Sequence, residues 1–165
     1  MGQSDFDRKL AKGKEGEKRL AEELARLGCD VDITGGPLRF ELDGVKFSLY
    51  DVTASKEGHS FLVQVKAKEP RKLHPDTGFS EEEYQHLRKV ETDKGLPIML
   101  AFVNSKAMYG IWLHDTSFEN SHLGYNVKDD EQMRYWWLSA LKPLSVLLQK
   151  MRAKRFKQKF LGDYS

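Results

Sequence analysis

Six consecutive apolar residues, Ile98 to Val103, constrain the fold more than any other stretch of the chain. A strand with one wet face alternates apolar and polar side chains, so an unbroken run of this kind implies a strand covered on both faces. Such strands lie inside sheets sandwiched between other layers. The segment just before the run supplies one layer. Ser80 and Glu83 form an S-x-x-E capping box, Tyr84, Leu87 and Val90 follow at helical spacing, and Gly95 and Pro97 close the helix.

Upstream, Phe6, Leu10, Gly13, Leu20, Leu24 and Leu27 recur at steps of three and four, which predicts a helix from about Asp5 to Gly28. Thr34-Gly35-Gly36-Pro37 then breaks the chain. Two alternating segments follow. Val45, Phe47, Leu49 and Asp51 share one strand face, so Asp51 is expected at a strand's end. In the second segment Phe61, Val63, Val65 and Ala67 oppose Gln64, Lys66 and Lys68. Ser55 to Ser60, with Gly58, predicts a hairpin turn of several residues between them. Tyr109 to Leu113 reads as the neighbour of the apolar run. Tyr135-Trp136-Trp137-Leu138 fits a strand or a helix, and its tryptophans fit a core or a platform for unpaired bases. Pro143 opens a last helix running to about Phe160, with Leu144, Leu147, Leu148 and Met151 as its buried stripe. Helix, strands, helix, strand, strand, helix specifies an α/β fold, a mixed central sheet flanked by helices.

The 165 residues are 39% hydrophobic, enough for a single domain with a real core. We expect a core over about residues 5–113 and a C-terminal extension over about 125–165. A single cysteine, Cys29, excludes an internal disulfide and a cysteine-cluster zinc site and points to an intracellular protein. No apolar run approaches the roughly 20 residues of a membrane span, and the acidic residues near the N-terminus fit neither a signal nor a transit peptide. The five histidines show no HExxH spacing, and Gly13-Lys14 lacks the rest of a phosphate-binding loop. Charge is nearly balanced, 27 basic against 25 acidic residues, but seven basic residues and no acidic one lie between Lys142 and Lys159. Such a segment suits a polyanion, and equally a solvated helix face.

Three polar features fall where packing alone would not put them. Glu17 sits on the apolar stripe of the first helix, Asp51 closes an apolar strand face, and Gln64 and Lys66 emerge side by side from one face. Oxygen ligands brought together with an ammonium have a specific use. They hold a hard cation that polarises a phosphate, while the lysine orients or helps deprotonate a water.

Asp51, followed thirteen positions later by Gln64-Val65-Lys66 and preceded by a helix carrying Gly16-Glu17, resembles the PD-(D/E)xK nuclease superfamily. The nearest resemblance is to the archaeal Holliday-junction resolvases and related small endonucleases. It covers about Lys12 to Leu113, because the helix and strand between Phe79 and Val103 also match, and it leaves the C-terminal third unexplained. It implies a restriction-endonuclease-like core and a metal-dependent endonuclease hydrolysing DNA phosphodiester bonds, on duplex or branched DNA. Asp51 would be the main ligand of Mg2+, for which Mn2+ substitutes. Glu17 would bind the metal directly or through water, and Gln64 and the Val65 carbonyl would complete the site. Lys66 would be the catalytic lysine. Lys14, Lys68, Arg71 and Lys72 beside the site, with Arg152, Lys154, Arg155 and Lys157 in the tail, would contact phosphates. A homodimer or higher oligomer, joined through the Trp136–Met151 region, would bring two sites to two strands.

The sequence departs from the motif twice. Tyr50 replaces a proline that is often absent, and Gln64 replaces an acid. Some branches, including one of homing endonucleases, are similar in carrying Gln there, but the lost charge weakens cation binding. The alternative reading is therefore a nuclease-fold module that grips nucleic acid without cutting it. A third is an interaction subunit whose basic tail binds a protein.

Overall fold

A computed structural model describes residues 3–33, 38–42, 45–49 and 51–151. In chain order the elements are α1 (Gln3–Arg26), β1 (Asp30–Ile33), β2 (Leu38–Leu42), β3 (Val45–Leu49), β4 (Asp51–Lys56) and β5 (His59–Ala67). Then come β6 (Asp76–Ser80), α2 (Glu81–Lys94), β7 (Ile98–Val103), β8 (Met108–Trp112), β9 (Ser121–Asn126) and β10 (Glu131–Trp137). The last helix, α3, occupies 144–151. The Thr34–Pro37 passage and the tail beyond Met151 lie outside the described residues.

The central sheet has the order β1-β4-β5-β7-β8. Only β5 and β7 run parallel, and the crossover between them carries β6 and α2. As its sequence requires, β7 is buried at all six positions. One face of the sheet presents Val52, Ala54, Val63, Val65 and Met99 to Leu20 and Leu24 of α1 and to Leu144, Leu147 and Leu148 of α3. The other presents Leu62, Leu100, Phe102 and Ile111 to Tyr84, Leu87 and Val90 of α2. A second sheet, β6-β10-β9, adds Phe79 and Trp136 to this second core.

Local signals explain most boundaries. Gly28 ends α1 at φ 93°, with its N–H donating to the Ala25 carbonyl and the Cys29 N–H to that of Leu24, a Schellman ending. A Cβ on Gly16 would lie 2.9 Å from the Ala67 Cβ, so the missing side chain lets α1 lie close on β5.

Three expectations need correction. Val45–Asp51 is not one strand: β3 pairs with β2 in a separate hairpin, and β4 begins at Asp51. The turn before β5 has two residues rather than several, Glu57 at φ 54° and Gly58 at φ 82°. Paired left-handed residues match the twist of the flanking strands, which extends the ladder into residues that composition marked as loop. The third concerns the oligomer contact over Trp136–Met151. Trp136, Leu141, Leu144, Leu147 and Leu148 are buried in the chain's own cores, and the Trp112 indole N–H donates to the Leu147 carbonyl at 2.8 Å. Those side chains are used internally, and Trp137, 40% exposed, is the large apolar one left at the surface of the region.

Candidate functional site

Gln64 and Lys66 leave β5 on the α2 side, and both meet one carboxylate. Lys66 Nζ donates to Glu83 Oε1 at 2.8 Å and Oε2 at 2.9 Å, and Gln64 Nε2 donates to Oε1 at 3.3 Å. The Lys66 and Glu83 side chains are 25% and 27% exposed, so the pair is reachable from solvent. Gln64 is buried, and its Oε1 is an enclosed oxygen that accepts no hydrogen bond from the described residues. Enclosing such an acceptor without a partner costs about 1–3 kcal/mol, a penalty that an incoming cation or donor would remove. The ladder pairs the backbone of Asp51 directly with that of Gln64.

Glu83 was assigned above to the capping box, and the structure makes only half of that box. Ser80 Oγ accepts from the Glu83 N–H at 3.3 Å, but the Glu83 carboxylate turns to Lys66 instead of the cap. The strand lysine is the stronger partner, since a charged donor outweighs a neutral amide. The sequence signal was the triple acid Glu81-Glu82-Glu83, more than a cap requires. Glu81 is engaged as well, accepting from Arg134 Nε at 2.5 Å and from its NH2 group at 2.8 Å.

Glu17 comes from α1 rather than from β5 or α2. It lies on α1 beside Gly16, and α1 covers the Val63–Val65 face, opposite to Gln64 and Lys66. Burial raises the pKa of its carboxyl above the ordinary value, while Lys14, one turn away, pulls it down. Val65 lies between Gln64 and Lys66 with its side chain in the α1 core. Among the described residues, no three His, Cys, Asp or Glu side chains converge as a metal cage. The donor set around Lys66 is the Glu83 carboxylate and the Gln64 amide oxygen, with Asp51 paired opposite through the backbone.

The cations assigned to phosphate take several positions. Lys68 Nζ donates to the Gly78 carbonyl at 2.5 Å, and burial, then Lys66 and Arg71 nearby, hold its ammonium below the usual lysine range. Arg71 makes a two-pronged pair with Asp76, 2.6 Å at each prong, and lies over the Tyr135 ring. Lys72 and Lys14 are exposed. Arg152, Lys154, Arg155 and Lys157 lie outside the described residues.

No family model matches the chain, and no curated protein matches it. Among solved structures, the chain is similar to Archaeoglobus fulgidus Hjc, a Holliday junction resolvase from an archaeal hyperthermophile. The similarity covers 74% of this chain and 82% of that one, at 16% identity and a TM-score of 0.50. A likeness at that identity is one of fold, and the fold is the restriction-endonuclease-like one, a central mixed sheet flanked by helices.

Proposed function

We propose that this protein is a metal-dependent endonuclease hydrolysing DNA phosphodiester bonds, with its site where β4, β5 and the start of α2 meet. The observation that carries the reading is the enclosed Gln64 oxygen, which has no donor among the described residues, beside the Lys66–Glu83 pair. An oxygen buried without a donor, next to a carboxylate, is the donor chemistry of a hard-cation site. Asp51, Gln64 Oε1, Glu83 and the Val65 carbonyl would hold Mg2+ or Mn2+, with Glu83 restoring the negative charge that Gln64 lacks. The cation would polarise the phosphate and make a bound water more acidic. Lys66, which now donates to Glu83, would be free to orient the attacking water and offset charge on phosphorus once that carboxylate served the cation. Two strands are cut when two copies present two sites, which favours a homodimer.

A second reading follows from the same ion pair. With Lys66 held by both oxygens of Glu83, the site is neutralised, as suits a fold that binds nucleic acid without cutting it.

Cleavage of supercoiled plasmid and of branched DNA in Mg2+ or Mn2+ separates the two. Wild type is expected to nick or linearise DNA. Asp51→Ala, Lys66→Ala and Glu83→Gln should each lose at least about a hundredfold in rate while still binding DNA. Wild type no faster than Asp51→Ala and Lys66→Ala in either metal would sink the endonuclease, and salt-sensitive binding without cleavage would establish the binding module.

A further inference from the structure

The β9–β10 hairpin lies outside the segment whose sequence resembles a nuclease, yet it carries an ordered stack of rings joined to the candidate site through β6. His122 stands opposite Tyr135 in the ladder and lies against it, with ring centres 5.8 Å apart and planes 28° apart. On Trp137 the same imidazole stacks more tightly, at 4.4 Å and 29°. The stack is pinned from below. His122 Nε2 is 2.9 Å from Asp76 Oδ2, and the fully buried Asp76 carboxylate is gripped from its other side by Arg71, whose guanidinium lies 3.7 Å from the centre of the Tyr135 ring. Gly124 gives the Tyr135 ring its place, since a Cβ there would come within 2.8 Å of the ring.

The three tryptophans divide sharply. Trp112 and Trp136 are 1% and 0% exposed, but Trp137, at the end of the stack, is 40% exposed. Trp137 pairs directly with Asp76 in the ladder, and the adjoining Leu138 N–H donates to the Pro75 carbonyl at 2.9 Å. The rigid stack therefore abuts the loop that carries Arg71 and the exposed Lys72. Burial would raise the Asp76 carboxyl, but its bonds from Arg71 and His122 outweigh that and hold it ionised within this cationic setting. On the same face of β10, Glu131 lies towards Lys68, away from the Trp137 end. β6 joins the stack to the candidate site: Asp76 opposes Trp137 at one end, and Ser80 caps the helix of Glu83 at the other, about 13 Å away at the rise of a strand.

We propose that Trp137, backed by His122, is a stacking site for an unpaired nucleobase, with Arg71 and Lys72 taking the phosphates of the same strand. An exposed indole fixed on a second ring presents a π-surface with no ordering left to lose, and neighbouring cations suit a polyanion rather than an apolar protein surface. The proposal rests on the nucleic-acid reading of the site and adds to it. The substrate would carry a single-stranded or locally opened segment within a few nucleotides of the position of attack.

Titration of the full-length Lys66→Ala chain with a short oligothymidylate tests this without cleavage. Since Trp112 and Trp136 are buried, indole quenching reports on Trp137. Quenching by the oligothymidylate, and not by a blunt duplex of equal length, is expected. With binding followed instead by the anisotropy of a labelled oligothymidylate or duplex, adding Trp137→Ala should weaken single-strand binding about tenfold and leave duplex binding within about twofold, while Trp137→Phe should keep most of the affinity. Thermal melts of both variants check the fold. Unchanged single-strand binding in Trp137→Ala overturns the proposal. So does an equal loss on single strand and duplex, or loss of a dimer in place of binding, which would make Trp137 a contact between copies. Should wild type cut duplex yet never bind oligothymidylate, the stacking site falls and the endonuclease stands. Should it neither bind nor cut any nucleic acid, both fall.

Discussion

At the scale of the residue, Gln64 and Glu83 divide between them what the motif places on one side chain. On the proposed reading Glu83 would bring the charge and Gln64 an oxygen with no donor among the described residues. Gln64→Glu should therefore be costly without metal, because it sets a buried carboxylate against Glu83 where an amide N–H now donates. A loss of about 1–3 kcal/mol is expected in a chelator, measured by urea unfolding. Mn2+ should recover most of that loss and raise the melting temperature of the variant more than that of wild type. If added Mn2+ moves both melting temperatures equally, Gln64 does not face a cation. Gln64 and Lys66 were legible from their period-two spacing on β5. Glu83 was not, because three residues from a serine at a helix start it satisfies a local rule, and only the arrival of Lys66 across the fold redirects it.

At the scale of the element, α1 shows why two glycines on one stripe need not do the same thing. A helix-interior glycine costs about 1 kcal/mol relative to alanine, so each needs a reason to be there. Around Gly13 nothing lies within 4 Å, whereas Gly16 has the Ala67 Cβ, which cannot swing aside, in its way. Gly13→Ala is expected to stabilise by about 0.5–1 kcal/mol and Gly16→Ala to destabilise by about 1–2 kcal/mol, the overpacking outweighing the helix gain. Denaturation midpoints of the two variants check the opposite signs. Two midpoints rising together would mean that α1 does not rest on β5 through Gly16. The helix itself was legible from its apolar stripe and its glycine stop. Its place on the sheet was not. Periodicity fixes which side of a helix is buried but not which face of a sheet buries it.

At the scale of the whole molecule, the resemblance read from sequence stops near Leu113, but the cooperative unit does not. The backbone of Gly110 exchanges two hydrogen bonds of 2.9 Å with Lys142. Trp112 donates to Leu147, and Trp136 fills the core under α2. A chain ending at Leu113 would leave β6 without β10 and expose both cores. It is expected to lack a cooperative thermal transition and to aggregate, checked by circular dichroism and calorimetry. A sharp transition in the shortened chain would mean that the C-terminal third is an appendage.

Periodic patterning, caps and turn residues are local, and they determined the helices, the strands β5, β7 and β8 and the α/β class, along with the spacing that joins Asp51 to Gln64 and Lys66. The faces chosen by α1 and α2, the capture of Lys66 by Glu83, and the burial of Trp136 beside an exposed Trp137 were decided only when the layers closed. Each depends on which distant group occupies the other side of a contact, and the free energy of desolvating and pairing such groups exists only once the chain has brought them together.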